Sequence, residues 1–314
     1  MQYYQECIAL GSKTGLSLVS DADPDSIDIL YTHLWQSIFI FERQFSRFLP
    51  GSELSRFNRE AGTKQYISPE FRDILLAAKT IANETDGVYN PFILPALQAS
   101  GYVHSRVPGY EKDAVDDYSN RSVTTIERLE IGDDWARIPY GTALDLGGCG
   151  KGYLADQLRT KLPKSVTGYW LSFGGDIAAG GLNDSNEPWK ITIQDARDST
   201  QDIGTLTATT SCGVATSGTT VHTGKKTGKA WHHLIDPRTR EPAVTDVLHA
   251  TVCDTSALRA DVFASCAVIL GSNDGVRFLK KHGIQTAALQ CHASSETSPI
   301  IHFGNGIIIH TTHA

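Results

Sequence analysis

The chain's 314 residues, 40% apolar and 20% charged, suffice to bury a large core in one substantial domain or in two interlocked lobes. No run approaches the roughly 18 apolar residues that a membrane span requires, and a formal net charge of −7 offers no basic field for a nucleic-acid backbone. Any phosphorylated ligand must therefore be met by local groups, and the six cysteines, with no C-x-x-C pair among them, are expected as free thiols.

At the amino end, Met1-Gln2-Tyr3-Tyr4-Gln5-Glu6-Cys7 lacks the basic segment, apolar stretch and small-residue cleavage site of a secretory leader. A cytoplasmic location is expected, with export of a chain whose leader has been removed as the alternative. After an extended opening over Cys7 to Ser20, the apolar residues Ile27, Leu30, Leu34, Ile38, Phe41 and Phe45 recur every three or four positions and predict a long amphipathic helix to Phe48. Asp21, Asp23 and Asp25 before it resemble the start of a calcium loop. Ser26 stands where that loop needs Gly and Thr32 where it needs Glu, so they read as a solvated helix start.

Ser68 to Glu84 predicts a second amphipathic helix stopped at Asp86-Gly87. Residues 99 to 143 read as short strands and turns, with 123–126 and 129–131 as candidate hairpin arms. Lys151 to Leu162 and Ser256 to Leu270 predict further helices, and Tyr169 to Phe173, Trp189 to Ile193 and His249 to Cys253 predict strands. The elements mix without βαβ alternation, which favours an α+β fold with more than one sheet over a doubly wound one.

Three segments concentrate chemistry. In Leu144-Asp145-Leu146-Gly147-Gly148-Cys149-Gly150-Lys151-Gly152-Tyr153 an apolar strand is expected to give way to a glycine-rich loop and a helix start, whose unpaired N–H groups together with Lys151 suit a phosphate. Neither known phosphate fingerprint is present, and a tight turn with a solvated lysine is the alternative. In the second segment, Asp261 and Ser265 lie four apart on an otherwise apolar helix, so their oxygens share one face and suit a hard cation. The alternative pairs Asp261 with an arginine and lets Ser265 bond back to its own helix.

The third segment is His232-His233-Leu234-Ile235-Asp236-Pro237, preceded by Ala215-Thr216-Ser217-Gly218. Adjacent strand histidines point to opposite faces, so one of them at most addresses a site. Neither H-E-x-x-H nor G-x-S-x-G is present, which removes the zinc-hydrolase and serine-hydrolase readings. A strand histidine bonded to backbone remains the plainer alternative.

Taken in order, Phe45-Ser46-Arg47-Phe48, Ser52-Glu53-Leu54-Ser55-Arg56-Phe57-Asn58, Thr85-Asp86-Gly87-Val88-Tyr89-Asn90-Pro91, Asp145-Leu146-Gly147-Gly148 with Lys151-Gly152-Tyr153 and Asp156, Gly174-Gly175-Asp176, Ala215-Thr216-Ser217-Gly218, His233-Leu234-Ile235-Asp236-Pro237 and Ala260-Asp261 form a series. This series resembles the ApbE family of FAD:protein FMN transferases over nearly the whole chain. The resemblance implies one ApbE-like domain over residues 4–314, built as two interlocked α/β lobes with mixed, mainly antiparallel sheets around a central ligand cleft.

It also implies an enzyme that binds FAD and Mg²⁺ and passes FMN to a Thr or Ser hydroxyl of an acceptor protein, releasing AMP. Hydrolysis of FAD to FMN and AMP, or storage of FAD without turnover, are the alternatives. By resemblance, Asp261, Ser265 and a backbone carbonyl near Gly148 hold the metal, with Ser265 standing where the family usually has Thr. Lys151 lies beside the ligand, and Gly147, Gly148, Gly174, Gly175, Asp176, Ser217, Gly218 and His233 border the flavin nucleotide. His233 is the candidate general base, since an imidazole titrates near neutrality, and Asp261 is the other candidate.

Four features depart from the family pattern. Leu10-Gly11-Ser12 replaces M-G-T, Cys149-Gly150 replaces an Ile-Ala type pair, Arg240 occupies a Gly position, and the segment after Gly218 lacks an aromatic-basic cluster. Family members are commonly exported lipoproteins, but Gln5-Glu6-Cys7 is no lipobox, so lipid anchoring is not implied.

Overall fold

The structure is a computed structural model that describes residues 1–105, 115–292 and 298–310. Eight strands form the main sheet: β1 (Gln2–Ala9), β2 (Ser12–Ser20), β3 (Val166–Phe173), β4 (Asp176–Gly181), β5 (Cys212–Gly218), β6 (Val247–Asp254), β7 (Thr286–Cys291) and β8 (Ile300–Phe303). They lie side by side in chain order, and every neighbouring pair is antiparallel. The fold is thus a meander with excursions leaving it between strands, an α+β architecture with antiparallel sheets as expected.

The longest excursion separates β2 from β3 and carries α1 (Pro24–Phe45), α2 (Glu53–Arg59), α3 (Pro69–Glu84), α4 (Leu94–Ser100) and α5 (Gly150–Thr160). Helix α6 (Ala257–Lys281) joins β6 to β7. Asp23 caps α1 by accepting from the Ser26 N–H at 2.9 Å, the helix-start role rather than the calcium one. Ile27, Tyr31, Leu34 and Ile38 of α1 form one stripe that packs with Leu16, Leu18, Leu171 and Phe173 of the sheet. Each such buried side chain contributes about 1.5–3 kcal/mol. The helix ends at Phe45, three residues short of expectation, because Ser46 is extended.

Period-2 alternation sorts the central strands. Ile177, Ala179 and Val214 face a three-stranded sheet made by 189–194, 202–208 and 307–309, whereas Ala178, Ala215, Ala250 and Val252 face the helices. Asp176 shares the parity of Ala178, and Ser217 that of Ala215, so both polar side chains point to the helical side.

Two expectations are corrected. The 123–126 and 129–131 arms do not pair: 126–128 is a 3₁₀ turn, and Glu130–Ile131 pairs instead with Trp135–Arg137, which also pairs with Gln65–Tyr66. Of the wider stretch 99–143, residues 106–114 lie outside the described residues, as do 311–314 at the end of the expected domain. Nor is Leu144–Leu146 a sheet strand. Its backbone is held by side chains, with Asn58 exchanging two 2.8 Å hydrogen bonds with Leu144 as a strand neighbour would.

The sequence of α6 is long and apolar enough to cross a membrane, but 61% of that window is buried inside the molecule. The helix is also broken at Gly271 (φ 80°), close to the expected end at Leu270, and Asp246 caps the second half through the Ser272 N–H at 2.8 Å.

Arg240, at the family's glycine position, has φ 63° and donates its backbone N–H to the Asp236 carbonyl at 2.7 Å. A left-handed backbone penalises any residue with a Cβ. Arg240→Gly is therefore expected to raise stability by about 1 kcal/mol in urea unfolding.

Candidate active site

The N-termini of α5 and α6 meet edge on, and glycine makes the meeting possible. A Cβ on Gly152 would stand 2.5 Å from the Ala257 carbonyl oxygen, and one on Gly213 2.3 Å from the Ala257 Cα. The contact is fastened by Asp156, one turn along α5, whose carboxylate accepts the backbone N–H groups of Ala257 and Leu258 at 3.0 Å each and the Ser256 hydroxyl at 2.6 Å. The first turn of α6 is thus capped by a side chain of α5.

Beside this joint lies a cleft of about 350 Å³, within the range of small-molecule sites. Lys151, Asp176, Asp261, Ser265, Ser217 and His233 all line it, as do Gly147, Gly148 and Gly174. The residues predicted from three separated segments therefore converge. Gly175 and Gly218 are not on its wall. Gly175 belongs to the β3–β4 turn, at φ 102°, and Gly218 is packed against the backbone of Leu248 and His249 on β6. Gly175 permits the positive φ of that turn, and Gly218 the close approach to β6.

Three charges meet at the cleft floor. The Lys151 ammonium lies 2.5 Å from Asp176 Oδ2. Burial works against the ammonium, but Asp176 and Asp261 outweigh it and hold the lysine charged. Asp261 is 5% exposed and accepts the Gly152 backbone N–H. Its Oδ2 is buried with no hydrogen-bond partner. Burial first, and the Asp176 charge second, push its carboxyl well above the ordinary range, against the pull of Lys151 and the Gly152 N–H. Among the described residues no arginine pairs with Asp261, and Ser265 Oγ bonds not to its own helix but to Ser217 Oγ, at 2.8 Å.

An unmet, buried carboxylate oxygen and a nearby hydroxyl are the donor set of a hard cation. Asp261 and Ser265 fit Mg²⁺ on that ground, with Gly148 lining the same cavity. Among the described residues no three His, Cys, Asp or Glu side chains gather into a metal cluster, so such an ion must draw its remaining ligands from hydroxyl, backbone, water or substrate oxygens. That is the habit of Mg²⁺ rather than of zinc.

The two histidines diverge: His232 closes the strand 229–232, and His233 follows it in a bend. His232 Nε2 lies 3.1 Å from the Ala243 carbonyl, and His233 turns into the cleft. Burial, then His222 and Lys151, push the His233 imidazole down to about 3, so it is neutral rather than poised at neutrality. Sequence reasoning missed Tyr102 and His222, which stack with ring centroids 5.6 Å apart, and the buried pair Arg47–Asp145 at 3.2 Å. Arg47 also donates to the Tyr102 carbonyl and lies 4.6 Å from its ring centroid. The signals were present: a charged residue in the apolar run Phe45–Phe48, and an aspartate before two glycines.

Fold and site together define an antiparallel α+β protein whose cleft combines a lysine at the α5 N-terminus with an unmet carboxylate. Residues 10–289 match the sequence model of the ApbE family, so the chain belongs to that family. Relatives named FAD:protein FMN transferase include one from Klebsiella pneumoniae, 26% identical over 77% of this chain and 71% of its own length, and one from Treponema pallidum, 26% identical over 73% and 68%. Among solved structures, the apo Pseudomonas stutzeri flavinyl transferase ApbE superposes with a TM-score of 0.81 at 22% identity, covering 96% of this chain and 95% of its own. The Thermotoga maritima ApbE protein gives 0.81 at 22% identity, covering 97% of both.

The buried like charges at the floor make a direct prediction. In metal-free buffer Asp261→Asn is expected to unfold at or above the temperature of the parent, since it removes a carboxyl that burial and Asp176 disfavour. Millimolar Mg²⁺ is expected to raise the parent's Tm and leave the variant's unchanged. Equal shifts in both would place the cation elsewhere.

Proposed function

We propose that this protein is a Mg²⁺-dependent flavin transferase, moving FMN from FAD to a Thr or Ser hydroxyl of an acceptor protein with release of AMP. The observation that carries the reading is the unpartnered Asp261 Oδ2 facing the same cleft as Lys151. A cation held by Asp261 and Ser265 supplies positive charge against diphosphate oxygens. The names of the relatives point the same way.

In the balanced step the acceptor oxygen bonds to the FMN phosphorus, the bond from that phosphorus to the bridging oxygen breaks, and AMP leaves with the bridging oxygen. The hydroxyl proton goes to a base. Such transfers ask a protein chiefly for positioning and for charge neutralisation. Lys151 provides a full charge and the α5 N-terminus unpaired N–H groups. His233 serves as the base through Nδ1, which is buried and without a hydrogen-bond partner. Its neutral state leaves it ready to accept, and a bound diphosphate favours the imidazolium that results. Asp261, engaged by the cation, is the weaker candidate.

Incubation with FAD, Mg²⁺ and a candidate acceptor is expected to give equimolar AMP and flavin-labelled protein, with Asp261→Ala slower by about 100-fold or more. Equal AMP with and without acceptor would show water to be the acceptor. FAD that survives magnesium intact would show a storage protein.

A further inference from the structure

His233 owes its orientation to the two residues that precede the hairpin 223–232, not to its own strand. An imidazole N–H of His233 donates to the Val221 carbonyl, and Nδ1 has no partner, which puts the free lone pair on Nδ1. The next residue, His222, lines the same cleft and meets the His233 ring edge to face, with centroids 5.0 Å apart and planes at 83°. Tyr102 stacks on His222 with an interplanar angle of 23° and meets His233 edge-on at 6.5 Å. The backbone at His222 has φ 47°, a conformation that penalises every residue but glycine and persists where its surroundings over-determine it. Among the described residues, those surroundings include the Tyr102 and His233 rings.

We propose that His222 is a positioning residue for His233: its ring keeps Nδ1 turned to the cleft, and its own charge decides whether His233 accepts the acceptor's proton. The inference rests on the transferase reading for its chemistry and on ring geometry for its coupling. Two imidazolium ions cannot comfortably share contact distance in a half-buried cleft. Once His222 is protonated, proton uptake by His233 creates that pair. Among the described residues, the charged and titratable groups around the two rings include Tyr102, after α4, with Arg47 over its ring, Lys151 on α5 with Asp176 and Asp261 beside it, and His232 next in the chain. The cationic ones add to the same repulsion. His222 thus imposes an acid limit on the base, and it stands in the stretch after Gly218 where the family pattern is missing.

The test compares the parent, His222→Phe and His222→Gly. Phenylalanine keeps the ring and removes the titration, and glycine keeps the backbone path and removes the ring. AMP release by the parent is expected to fall on acidification as His222 gains its proton. In His222→Phe this limb should move at least about one pH unit lower, with KM for FAD unchanged within about twofold. In His222→Gly kcat should drop roughly tenfold with little change in KM, as misorientation of a base demands.

Nitrogen-15 NMR of the resting protein, without FAD or metal, supplies the independent reading. The His233 ring shifts should carry a step at the pH where His222 titrates, and the step should vanish in His222→Phe. A His222→Phe rate profile superimposable on the parent's, or His233 shifts blind to His222, overturns the proposal. Absence of AMP from the parent overturns the transferase reading instead and leaves the NMR step to decide the coupling.

Discussion

The constraint on which the site depends is the contact between the first turns of α5 and α6. Helix α5 carries Lys151 and helix α6 carries Asp261 and Ser265, so the distance between these groups is set wherever the two helices touch. Gly152 removes the Cβ that would hold the two helices apart, Gly213 removes the one that would push α6 off β5, and the Asp156 carboxylate supplies the hydrogen bonds that the α6 N-terminus lacks. A carboxylate at a helix start is favourable for hydrogen bonding and dipole alike. The joint therefore stabilises the fold and assembles the cleft in one stroke.

The charges it assembles are unbalanced. Lys151 is shared between Asp176 and Asp261, and Asp261 keeps one oxygen unmet. Native interiors rarely tolerate an orphaned carboxylate oxygen, and such exceptions are where function sits. The main sheet contributes by alternation alone: Asp176 and Ser217 face the helices because their odd or even place in β4 and β5 says so, and Ser217 then reaches Ser265.

Much of this was legible in the sequence. Periodicity foretold α1 and α3, the helix expected over Ser256 to Leu270 proved to be only the first half of α6, and the i, i+4 spacing of Asp261 and Ser265 placed two oxygens on one helix face. What escaped was whatever depends on side chains standing in for backbone. Leu144-Asp145-Leu146 reads as a strand, but its backbone is paired by the Asn58 side chain and the Pro91 carbonyl rather than by a sheet. Gly152 reads as part of a glycine-rich ligand loop and Asp156 only as a motif position, yet together they build a helix joint, since a motif's spacing does not say which of its residues face outward. His222 carried no periodic or motif signal, and only the fold brings its ring to His233.

The central claim is that a divalent ion sits on Asp261 and Ser265 with a diphosphate between it and Lys151. Crystals soaked with Mn²⁺ and FAD or AMP test it most directly through the anomalous signal of manganese. The account predicts one strong peak within coordination distance, about 2–2.3 Å, of Asp261 Oδ2, with phosphate density extending toward the Lys151 ammonium. A peak outside the cleft, or phosphate bound there with no metal beside Asp261, would contradict it.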